Sequence, residues 1–198
     1  MNIEKTIKNM KLRGFEVSFF ENKEAASDYL VSQIKDTSVG IGGSKTVEQM
    51  GLYEKLCEAG NDVAWHWKTP GWDTLDRETA AKVFISSANA IAETGEILNI
   101  DGRGNRLAGL VFGQKRVYIV AGTNKICPDF DSALYRARNT AAVQNMKRFP
   151  CQTPCKIDDK CHDCRVADRG CNALMVLWGP MMDMEKVEIV LINEDLGM

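Results

Sequence analysis

Three apolar runs constrain this chain more than any other feature: AKVFISS at 81–87, RVYIVAG at 116–122 and VEIVLIN at 187–193. They do not alternate apolar with polar residues, as a strand wet on one face would. A run of this kind reads as a strand buried on both faces, and segments with helical spacing fall between several of them. Together they predict an α/β fold: a mostly parallel sheet sandwiched by helices. Shorter strand candidates are FEVSFF at 15–20, the start of SVGIGGSKT at 38–46 and DVAWHW at 62–67. Helical spacing covers residues 2–13, 22–35, 52–59 and 129–147, while TPGWDTLD at 69–76 reads as a turn-rich loop. The last two runs, NALMVLWG and VEIVLIN, are expected to add a neighbouring antiparallel edge. At 198 residues the default is one domain spanning 1–198, with a distinct cysteine-rich segment at 149–171.

Charge and hydropathy exclude some classes. The net charge of −2 offers no basic footprint for nucleic acid. No stretch approaches the roughly 18 to 20 apolar residues of a membrane span. The charged, amphipathic start MNIEKTIKNMKLRG has no apolar core of a secretory signal, so a cytoplasmic protein is expected. Four tryptophans and nine methionines are side chains that interfaces favour, and a homodimer is compatible with them.

Glycine-bearing loops follow the apolar runs. In GIGGSKT, Gly42 and Gly43 let the backbone approach a ligand, Ser44 and Thr46 bring hydroxyls, and Lys45 brings a cation. The spacing is neither a dinucleotide fingerprint nor a P-loop, and a plain capped turn reads as well. AETGEILNIDGRGNR supplies Glu93, Thr94 and Gly95, then Gly102, Gly104, Asn105 and Arg106. GTNKI supplies Asn124 and Lys125. Polar loops after apolar strands predict one cleft at the strands' carboxyl ends, taking a small anionic organic ligand. His66, in AWHWK, reads as an amphipathic strand residue. Cys57 reads as core, and Cys127 as a partly buried thiol.

Cys151, Cys155, Cys161, Cys164 and Cys171 are spaced C-x3-C-x5-C-x2-C-x6-C. In a reducing compartment such a cluster leans toward metal rather than disulfides. Cys161 and Cys164 have the spacing with which two thiolates grip one ion, and four thiolates would hold zinc or an iron–sulfur cluster. Spacing does not choose between them.

VGIGGSKTVEQMGL, ANAIAETGEILNIDGRGNRLAGLVFGQKRVYIVAGTNKI, ALYRARNTAAVQNMKR and the PC…CHDC…RGC tail together resemble the LUD domain of lactate-utilization proteins, also called DUF162. The resemblance runs over roughly residues 38–178. It implies a fold like that of ribose-5-phosphate isomerase, glucosamine-phosphate isomerase and the CoA transferases. It also implies a role in L-lactate or other organic-acid oxidation beside iron–sulfur partner subunits, and a metal set of Cys155, Cys161, Cys164 and Cys171, with Cys151 as substitute. Two other functions stand beside this one: a non-catalytic binding or scaffold protein with a structural metal, and a CoA-transferase-like enzyme with Glu93 as its nucleophile. Where the similar isomerases carry an acidic pair this chain has Asn89 and Ala90, and Asp101 falls at the place of their lysine. No sugar-phosphate isomerase activity is therefore expected.

Overall fold

A computed structural model describes residues 1–198. In chain order the elements are α1 (Ile3–Leu12), β1 (Glu16–Phe20), α2 (Lys23–Gln33), β2 (Ser38–Ile41), α3 (Lys45–Gln49), α4 (Leu52–Glu58) and β3 (Asp62–Ala64). Next come α5 (Trp72–Ala80), β4 (Val83–Ser86), β5 (Ala90–Ala92), β6 (Ile97–Asp101), α6 (Asn105–Val111), β7 (Arg116–Gly122) and β8 (Ile126–Cys127). The chain ends with α7 (Phe130–Arg136), α8 (Ala142–Met146), α9 (Cys155–Asp158), β9 (Ala173–Leu177) and β10 (Lys186–Ile192). A π-helical turn, Ala137–Ala141, joins α7 to α8 without a break.

Six strands form a wholly parallel sheet in the order β1-β10-β7-β4-β2-β3. Its central strands are apolar on both faces because both are covered. Tyr118, Val120, Val39, Ile41 and Ile85 point into a cluster closed by Leu30 of α2, Val47 of α3 and Leu52 and Leu56 of α4. Val117, Ile119, Ala121 and Phe84 point the other way, onto Met10 of α1 and Leu110 of α6. A strand's period of two, carried through unbroken apolar runs, produces both clusters.

A second, four-stranded sheet has the order β8-β5-β6-β9, with β5–β6 and β6–β9 antiparallel. Ile91, Ile97 and Leu177 join the main sheet's second cluster, while Ala90, Ala92 and Leu98 pack on Ala133 and Ala137. Of the two C-terminal strands expected to add an antiparallel edge, only β9 does so, and it does not pair with β10. β9 forms an edge of the small sheet, and β10 lies inside the large one between β1 and β7. β10 needs both faces covered, whereas Ala173 and Leu174 of β9 are exposed.

Two other expectations change. DVAWHW is a strand only at Asp62–Ala64, and residues 65–67 turn out of the sheet. TPGWDTLD does not stay a loop: α5 begins at Trp72, after Gly71 at φ +144°. Its Thr74, Leu75 and Glu78 are buried. No helix of the chain is long and apolar enough to cross a membrane.

Candidate functional site

β3, β2, β4 and β7 are neighbours in the parallel sheet, so their carboxyl ends open side by side. From β3 comes His66, from β2 the loop Gly43–Ser44–Lys45–Thr46, from β4 Ser87 and Asn89, and from β7 Lys125. Gly102 of the β6–α6 loop and Asn105 and Arg106 at the start of α6 close one side. Met146 of α8 and Cys151 and Gly170 of the cysteine-rich segment close another. The result is a cleft of about 500 Å³.

Lys125 is the buried centre of this cleft, at 3% exposure. Its Nζ donates to Thr46 Oγ1 at 2.8 Å and to Ser87 Oγ at 2.7 Å. No carboxylate forms an ion pair with it. Burial, with the positive charges of Arg136 and Arg106 added, brings its pKa down from 10.5 to about 7. Arg106 donates through Nη2 to Asn89 Oδ1 at 3.2 Å and to the Ile100 carbonyl. Arg136 donates to the carbonyls of Asn124 and Asn89 at 3.1 and 2.5 Å. The lining carries five basic side chains, Lys45, Arg103, Arg106, Lys125 and Arg148, against two acidic ones, Asp101 and Asp168, and the C-terminal Met198, whose oxygen accepts from Arg136 Nη1 at 3.1 Å. A chain with net charge −2 thus presents a locally positive cleft.

Opposite chemistry comes from His66. Its Nδ1 lies 2.7 Å from Glu78 Oε1, which also accepts the His66 backbone N–H at 2.5 Å. Asn105 Nδ2 donates to the other oxygen, Glu78 Oε2, at 3.3 Å. Glu78 is 1% exposed, so its carboxylate is wholly used in holding these groups. The guanidinium of Arg148 stacks on Trp67 at the mouth, 4.2 Å from the ring centre.

The sequence-derived site is only partly brought together. Gly43, Ser44, Lys45, Gly102, Asn105, Arg106 and Lys125 line the cleft. Gly42 lies just behind, its N–H bonded to the Ile85 carbonyl. Gly104, at φ +92°, starts α6. Asn124 accepts the Leu196 N–H at 3.3 Å and so anchors the C-terminal segment. Ser44 Oγ accepts the Val47 N–H at 3.2 Å, which is the plain capped turn weighed for GIGGSKT, and Lys45 pairs with Glu48.

Glu93, Thr94 and Gly95 are not in the cleft. They form the β5–β6 turn, and an antiparallel hairpin sends its turn away from the parallel strands' carboxyl ends. Glu93 accepts the Asn2 N–H at 2.7 Å and pairs with Lys5 at 3.2 Å, and these two hold its carboxyl below the usual range. Thr94 presents its carbonyl to Arg13 Nε at 2.7 Å. The hairpin is a docking point for α1. His66, Glu78 and Ser87 are the residues here that sequence reasoning did not select: His66 and Ser87 line the cleft, and the buried Glu78 holds His66 from behind. One signal for the first pair was available: Leu75 and Glu78 stand at helical spacing just after His66.

All seven cysteines are free. Cys155, Cys161, Cys164 and Cys171 line one small cavity of about 30 Å³ with Met146 and Arg169. Burial and the neighbouring Cys161 and Cys155 push the Cys171 thiol up to about 11. The donor chemistry suits zinc or iron, but no three His, Cys, Asp or Glu side chains form a group that could hold a metal ion. The thiols are gathered without closing into a chelate. Cys151 is outside that cavity and lines the large cleft, with its Sγ near the Met146 carbonyl at 3.5 Å, yet it packs on the same small cluster as Cys155, Cys161 and Cys171. Cys57 is exposed rather than core, and Cys127 is buried on β8.

The LUD domain matches this chain over residues 3–192. No curated protein matches it. Among solved structures, the chain is similar to a DUF162-family protein from Deinococcus radiodurans. The sequence identity is 14%, the TM-score is 0.55, and the likeness covers 96% of this chain and 95% of that one.

Proposed function

Since the chain belongs to the LUD domain family, of the lactate-utilization type, we propose that it binds a small organic anion in the cleft at the sheet's carboxyl ends and serves organic-acid metabolism in the cytoplasm. One observation carries this reading: a buried ammonium, Lys125, is held by two hydroxyls and paired with no carboxylate. Burying an unpaired cation is unfavourable, and a bound anion removes that penalty. Arg106 and Arg103 supply further charge from the facing side. The cleft's 500 Å³ is in the range that encloses a whole cofactor-sized ligand, which favours a second occupant: a larger phosphorylated or thioester-bearing anion on the same lysine. Glu93, tied to α1, plays no part in either reading.

Titration calorimetry with L-lactate and with sulfate tests the reading. Both are expected to bind the purified chain, and Lys125→Met is expected to weaken them about tenfold or more. Glu93→Gln is expected to leave binding unchanged. Equal affinity in the wild-type chain and Lys125→Met would sink the proposal.

A further inference from the structure

The anion reading makes no use of His66 and Glu78. A carboxylate only accepts hydrogen bonds, so the 2.7 Å contact to Glu78 Oε1 requires the proton of a neutral imidazole to sit on Nδ1. Nε2 then carries the lone pair. It has no hydrogen-bond partner within the protein, and the ring faces the cleft. Glu78 is fixed in turn by the His66 N–H and by Asn105. A base oriented by a buried carboxylate therefore stands in the same cleft as a buried ammonium flanked by two hydroxyls.

A base and a preorganised group of donors are the two requirements for taking a proton from carbon beside a carbonyl. The chain lacks the acidic residues that supply them in the similar isomerases, but the tertiary structure assembles both from other positions. In a 2-oxo acid the carboxylate and the carbonyl oxygen are neighbours, so one ammonium serves both. We propose that His66 is the general base of this cleft and that the substrate class is a 2-oxo carboxylate, enolised at C3. This rests on the anion reading and names its chemistry. The C3–H bond breaks and its proton passes to Nε2. Its electron pair becomes the C2=C3 bond, and the carbonyl π pair moves to the oxygen as an enolate facing Lys125. The imidazolium, stabilised by Glu78, returns a proton to C3 to close the step. Glu78 is a positioning residue.

The test is proton exchange in D2O, followed by proton NMR on pyruvate and on 2-oxoglutarate with the full chain. At least one is expected to lose its C3 proton signal tenfold or more faster than in matched buffer, and His66→Gln is expected to remove the acceleration. Glu78→Gln is expected to lower the saturated rate more than the half-saturating concentration. Nitrogen-15 spectra report the tautomer directly. His162 is the only other histidine, so His162→Gln assigns the His66 signals. Wild-type His66 is expected as the Nδ1–H form, and Glu78→Gln as a mixture. L-lactate binding without exchange of either acid, or undiminished exchange in His66→Gln, overturns this inference and leaves the anion reading standing. Failure of L-lactate and sulfate to bind overturns both.

Discussion

Gly40 of β2 and Glu78 of α5 touch backbone to backbone: a Cβ on Gly40 would lie 2.9 Å from Glu78 Cα and closer still to its carbonyl oxygen. The missing side chain lets α5 lie flat on the sheet and puts the Glu78 carboxylate beneath His66. Gly40→Ala is expected to push α5 outward and to cost about 1–3 kcal/mol through overpacking. Thermal unfolding measures that cost. The His66 nitrogen spectrum should lose its single tautomer in the same variant, because the carboxylate moves away from Nδ1.

Lys125 sets a pH dependence on binding. With its pKa at about 7, it is mostly cationic below pH 7 and mostly neutral above. Affinity for L-lactate, whose own charge is constant there, is expected to fall as pH rises from 7 to 9, by up to about tenfold per unit. Calorimetry at pH 8 in two buffers of different ionisation enthalpy should show a proton taken up on binding. A pH-independent affinity would mean that Lys125 does not hold the anion.

The same lysine affects stability with a definite sign. Its folded pKa of about 7 lies below the unfolded value of 10.5, so between these limits the unfolded chain binds more protons. Stability from this group therefore rises with pH across that window. Lys125→Met should flatten that part of a denaturation-against-pH profile and raise stability most near and below pH 7.

The thiols should react in a fixed order. Exposed Cys57 is expected to react first with a disulfide reagent at pH 8. Cys171, half-buried with its thiol at about 11, should react slowly until the chain is denatured. Cys57→Ser should remove the fast phase, and Cys171→Ser should leave it. Dialysis against a chelator, read by the melting temperature, tests Cys155, Cys161, Cys164 and Cys171 as a metal set. A fall of several degrees would show that the cysteines bind metal in solution.

Arg169 stitches the cysteine-rich segment together. Its Nε donates to the Cys171 carbonyl at 2.9 Å, Nη1 to the Cys164 carbonyl at 2.8 Å, and Nη2 to Asp163 Oδ1 at 3.1 Å. The segment has one four-residue helix and no strand, and its apolar packing is limited to a small cluster around Val143, Met146 and Cys155. Arg169→Ala is expected to loosen it by about 1–3 kcal/mol. Limited proteolysis should then cut within 158–170, while the sheets keep their hydrogen-exchange protection.

The layered α/β architecture is legible in the amino-acid sequence alone. Residues such as Val117 through Ala121 are apolar at every position, and only a strand covered on both faces satisfies them all. The sequence also placed Lys125, Ser44 and Arg106 in or beside loops that follow strands, because glycine and polar residues end an apolar run where the backbone must turn. It could not show on which side a loop opens. Glu93 and Lys125 both follow buried strands, yet the first closes an antiparallel hairpin at α1 and the second ends a parallel strand at the cleft. Pairing direction is a long-range choice, invisible to a local pattern. The same holds for His66 and Glu78, twelve residues apart and on different elements, which meet only because Gly40 lets α5 close onto β2. The cleft's charge could be read from residue types, but its base could not. A proton-transfer site depends on hydrogen-bond geometry of a few ångströms, and only tertiary packing supplies that.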